Sequence, residues 1–140
     1  MNVSRRRVAW LIAAAVLLAG CQSGPRETPL PAAETGAKIT SAVKAIPGVV
    51  SAEGSYLHAG GATARIAFAI LEMSTNDRAA LLTIQESCLK AIIPIVGKAT
   101  VSELTCYVVP ASGQGYVSPK DVGFAAETPS FATVAQRYGL

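Results

Sequence analysis

Val49-Val50-Ser51-Ala52-Glu53-Gly54-Ser55-Tyr56-Leu57 and Thr63-Ala64-Arg65-Ile66-Ala67-Phe68-Ala69-Ile70-Leu71-Glu72 decide the fold. Both stretches read as strands. In the second, Ile66, Phe68 and Ile70 alternate with Arg65, Ala67 and Ala69, the period of two that a strand with distinct faces requires. His58-Ala59-Gly60-Gly61-Ala62 between them reads as a hairpin connection, because glycine supplies the positive φ of tight turns.

Upstream of this hairpin, Ile39, Ala42, Val43 and Ile46 share one helical face over Lys38 to Ile46, and Pro47-Gly48 stops that helix. Downstream, Ser74-Thr75-Asn76-Asp77 supplies N-cap candidates for a second helix running through about Ile92. Its apolar stripe is Leu81, Ile84, Cys88 and Ile92, with Pro94 and Gly97 closing it. Thr100 to Val109 alternates again and predicts a third strand, and Tyr116-Val117 is the place for a short fourth. Thr128-Pro129 opens a terminal helix with Phe131, Val134, Ala135 and Tyr138 on one face and Gly139 at its end. The expected architecture is α+β: a small antiparallel sheet with helices packed on one face, in the order αββαβ(β)α.

The 140 residues, 51% apolar and 15% charged, suit a single globular domain. They exclude a disordered chain and a protein with many membrane spans. Before the domain, Arg5-Arg6-Arg7 precede an apolar run from Val8 to Ala19, followed by Gly20-Cys21. A basic flank and a short apolar core form an export signal, too short to span a bilayer. Leu18-Ala19-Gly20-Cys21 resembles the lipobox of bacterial lipoproteins position for position. The resemblance implies cleavage before Cys21, diacylglycerol on its sulfur and attachment to the outer side of a cell membrane. Two or three acyl chains give stable anchoring. Ser4 to Val8 is also similar to a twin-arginine signal, but Val8 and Ala9 stand where an aromatic and a leucine belong.

The predicted organisation is therefore a signal peptide at 1–20, a lipidated Cys21 with a proline-rich tether through 36, and one domain over 37–140. The tether reaches about 40 Å when extended. Removing the signal takes the three arginines with it, so nine Lys/Arg remain against nine Asp/Glu, and bulk charge does not support nucleic-acid binding. The step from helix through Pro47-Gly48-Val49 into strand is similar to small ferredoxin-like and BON-like envelope modules. That similarity implies a fold and carries no activity. The segment from Ser118-Pro119-Lys120-Asp121 to Arg137-Tyr138-Gly139 resembles the ends of uncharacterised lipoproteins from high-GC Gram-positive bacteria.

Exported chains keep disulfides, so Cys88 and Cys106 read as a disulfide staple, two buried thiols or a redox pair. No Cys-x-x-Cys supports the last reading. His58, the only histidine, reads as an exposed turn residue, and no spacing suggests a metal site. Gly113-Gln114-Gly115 imitates part of a dinucleotide loop but lacks its third glycine and following helix. Glu53 and Glu103 are a candidate acid pair across the sheet, and Tyr56, Tyr107 and Tyr116 a candidate aromatic patch.

These features predict a non-catalytic binding or interaction module anchored in the cell envelope, with no cofactor. Its partners would be the membrane and another envelope protein. The contact surface expected is the sheet face away from the helices, around Arg65, Glu103 and Tyr107. The alternatives are a thiol-dependent redox protein or enzyme using Cys88 and Cys106, and a carrier of a small apolar or metal ligand.

Overall fold

A computed structural model describes residues 30–59 and 64–140. The lipobox, Cys21, the tether up to residue 29 and the tip of the hairpin lie outside the described residues. The elements are α1 (Ala32–Lys44), β1 (Val49–Ala59), β2 (Ala64–Met73), α2 (Arg78–Val96), β3 (Ser102–Val109), a short 3-10 helix (Pro119–Val122) and α3 (Phe131–Tyr138). The class is α+β, as the sequence predicts.

α1 starts six residues earlier than the periodicity suggests, inside the stretch read as tether. Pro31 fixes the approach, Ala32 and Ala33 are strong helix formers, and Glu34 pairs with Lys38 one turn on at 2.7 Å. Gly36 disguises this turn. It sits in the helix because α1 presses against β1, where a Cβ at position 36 would lie 3.3 Å from the Ser55 Cα.

The sheet has the order β1-β2-β3 and is mixed rather than antiparallel. β1 and β2 form the expected hairpin pair, with a bulge at exposed Val50. β2 and β3 run parallel in continuous register from Arg65↔Ser102 to Glu72↔Val109. Parallel neighbours need a long crossover, and the 19-residue α2 is that crossover. Asp77 caps it, accepting the Ala80 amide at 2.9 Å. The helix continues past Pro94 to Val96, where the Gly97 amide donates to the Ile93 carbonyl at 2.9 Å and closes it. The expected fourth strand reduces to an isolated bridge between Val108 and Val117. α3 is capped by Ser130, whose hydroxyl accepts the Thr133 amide, rather than by Thr128.

All three α-helices pack on one face of the sheet, over Ala67, Ala69 and Leu71 of the central strand and Leu104, Cys106 and Val108 of β3. Ile39, Val43, Leu89, Ile92, Phe131 and Val134 fill the space above them. α2 is long and apolar enough to cross a membrane by length and composition. Its buried stripe from Leu81 to Val96 makes it the core helix of this domain. Small side chains on β2 let the helices sit low, and Tyr56 from β1 supplies volume beside them.

Candidate functional site

Strand alternation leaves the other face of the sheet with a definite composition. Along β2 it presents Ile66, Phe68, Ile70 and Glu72. Register places Leu57 and Glu103 beside Ile66, Ser55 and Thr105 beside Phe68, and Glu53 and Tyr107 beside Ile70. Three large apolar residues of β2, Ile66, Phe68 and Ile70, thus face away from the helices, and among the described residues no helix covers them. Leu57 remains 54% exposed, and Ile66, Phe68, Ile70 and Tyr107 are half-buried. The Phe68 and Tyr107 rings meet edge-on with centroids 6.1 Å apart, and Tyr116 lies against Tyr107 at 4.6 Å. Burial pushes the Tyr107 phenol above its ordinary pKa, helped by the nearby charge of Glu127 and by Tyr116.

Of the three residues expected on this surface, Glu103 and Tyr107 are there. Arg65 is not: it shares parity with Ala67, Ala69 and Leu71, so alternation assigns it to the helix side. Phe68 and Ile70, which the sequence reading did not select, stand at its centre. Glu53 and Glu103 do not pair. The central strand separates them and they lie four residues apart in register, on the order of 16 Å by strand spacing. Tyr56 leaves the aromatic patch for the core.

Both long edges of the sheet carry partners. On β1, the Gly54 amide donates to the Thr40 hydroxyl of α1 at 2.9 Å. On β3, the Leu104 amide donates to the Pro129 carbonyl, Gln85 Nε2 donates to the Cys106 carbonyl at 3.0 Å, and Val108 bridges Val117. The β3 edge is thereby blunted against strand addition, and α1 interrupts the β1 edge at Gly54.

No family model, curated protein or solved structure matches this chain.

Cys88 of α2 and Cys106 of β3 form a disulfide, both residues 0% exposed. Gln85, one turn before Cys88, reaches the Cys106 backbone, so a covalent and a hydrogen-bonded link join α2 to the same strand position. His58 belongs to β1 rather than to the turn. It is exposed, with Nε2 2.9 Å from the Leu30 carbonyl and its ring edge-on to Tyr56. It ties the end of β1 to the segment that leads into α1. Among the described residues no three His, Cys, Asp or Glu side chains cluster as metal ligands would.

A concavity of about 290 Å³ lies at the start of α2, lined by Asn76, Arg78 and the Pro110–Val117 loop. Gly113 and Gly115 take positive φ there, shaping a turn rather than a phosphate cradle that opens a helix. The loop is tied down locally: the Ser112 amide donates to Asn76 Oδ1 at 2.8 Å and the Ala111 amide to the Thr75 carbonyl. Arg78 pairs with Asp121 of the 3-10 helix at 2.8 Å. The Ser118 amide bond, more than the arginine, holds the Asp121 carboxyl below its ordinary pKa.

Proposed function

We propose that this chain is a non-catalytic interaction module of the bacterial cell envelope, anchored to the membrane through a lipid on Cys21. It binds another envelope protein through the face formed by Ile66, Phe68, Ile70 and Tyr107. One observation carries the reading: a three-stranded sheet with all its helices on one side leaves large apolar side chains on the other. Apolar surface grouped in this way, with carboxylates around it, is how protein-binding surfaces differ from scattered exposed residues. The burial of both cysteines supports a structural staple rather than a cycling thiol pair. The cleft beside Arg78 is where a small-ligand carrier would hold its cargo, and native mass spectrometry showing a stoichiometric adduct would favour that reading instead.

The test uses two serine substitutions, Phe68→Ser and Tyr107→Ser, in the chain produced in its own cells. Chemical cross-linking should recover a defined partner with the native chain and lose it with the double variant, while circular dichroism shows the fold retained. A partner recovered equally from both would refute the surface assignment. Cys21→Ser should separately move the chain out of the membrane fraction, and retention there would remove the lipid anchor from the account.

A further inference from the structure

We infer that the open sheet face takes a basic amphipathic helix of its partner, with apolar residues on Phe68 and cationic residues on the surrounding carboxylates. This rests on the docking role proposed above and adds the chemistry of what docks.

The argument is one of charge placement. Glu53, Glu72 and Glu103 hold three positions around the apolar column of β2. All three are exposed, and the charge of Glu127 is felt at Tyr107. Arg65 is the only cationic residue in the three strands, and alternation puts it on the opposite face. Lys38, Lys44, Arg78, Lys90 and Arg137 all belong to helices on that opposite side, where with Arg65 they outnumber the carboxylates of Glu34, Asp77, Glu86 and Asp121. The mature chain has balanced charge, yet its two sides differ in sign.

Two other occupants are disfavoured on the same ground. A second copy placed face to face would gather carboxylates from both molecules into one interface with no strand cation to answer them, and like charges brought together cost several kcal/mol in general. An anionic phospholipid surface would be repelled for the same reason. Dimensions agree with a helix. The outer strands lie about 10 Å apart, close to a helix diameter, and Ile66 to Ile70 spans roughly 13 Å, two to three turns.

The probe is a 14-residue Leu/Lys amphipathic helical peptide, with its Leu/Glu counterpart as control. Each is titrated by fluorescence anisotropy against the purified full chain in neutral phosphatidylcholine nanodiscs, with empty nanodiscs as reference. Saturable binding of the Leu/Lys peptide alone is expected. Its affinity should weaken about tenfold when Glu53→Gln, Glu72→Gln and Glu103→Gln are combined. It should also fall as salt rises, and disappear with Phe68→Ser. Equal binding of both peptides, lost in each case with Phe68→Ser, would overturn the charge preference and leave the docking face standing. Absence of saturable binding by a folded chain would overturn the inference outright, as would chain-to-chain cross-links through position 68. In either case the partner cross-links at Phe68 and Tyr107 decide separately whether the face docks anything.

Discussion

A methyl group at position 54 would sit 2.5 Å from Cγ2 of Ile39 and 2.8 Å from the Thr40 amide nitrogen. Glycine is therefore what lets α1 lie against β1 and lets Thr40 reach the Gly54 amide. Gly54→Ala is expected to lower the unfolding free energy by about 2 kcal/mol, measured by urea denaturation. At Asp121 the test is pH. Its folded pKa lies below the unfolded one, so its contribution is complete above the ordinary carboxylate range and is lost as pH falls through the folded value. Asp121→Asn should thus destabilise the chain at neutral pH, and thermal melts of variant and native should converge in acid. The two roles differ in how far the sequence displays them. Gly54 looked like any strand glycine, since a close approach between elements has no local signature. Asp121 showed only a Ser-Pro-x-Asp spacing, a capping pattern that could have been read, while its Arg78 partner lies 43 residues away.

Among the elements, β2 shows both how far alternation carries a reading and where it stops. Its period of two is plain in Arg65 to Ile70, but period alone does not say which set is covered. Size suggests that Ile66, Phe68 and Ile70 are core, yet Ala67, Ala69 and Leu71 are, because the helices pack on that side. Leu71→Ala should accordingly cost about 2–5 kcal/mol. Its neighbour Ile70→Ala on the open face should cost about 1 kcal/mol or less. Comparable losses in urea midpoints would contradict the face assignment. Strand direction was equally hidden. A third strand following a long helix is the ordinary pattern of a parallel crossover, and the hairpin before it drew the reading toward an antiparallel sheet. The helix itself was plain, and so was the chance of a link between Cys88 and Cys106. Replacing both cysteines by alanine is expected to remove about 3 kcal/mol of stability, read from denaturation under identical buffer conditions.

Taken whole, the molecule has two unlike sides. One carries every α-helix, the disulfide and most of the cations; the other carries an apolar column with carboxylates beside it. The sequence displayed the parts of this arrangement, Glu103 and Tyr107 among them, but the opposition between sides emerges only once three strands are in register. The export signal and lipid site proposed at Cys21 rest on a different kind of legibility, a linear motif that needs no fold to be read. With that anchor, the function proposed above is that of a domain held near a membrane with one face available. Site-specific photo-cross-linking in the producing cells tests that description most directly. A photoreactive residue is placed in turn at 55, 66, 68 and 70 on the open face, and at 38, 90 and 137 on the helix side. The account expects one partner adduct, appearing from the open-face positions and absent from the helix-side positions. Adducts arising only from 38, 90 or 137 would contradict it.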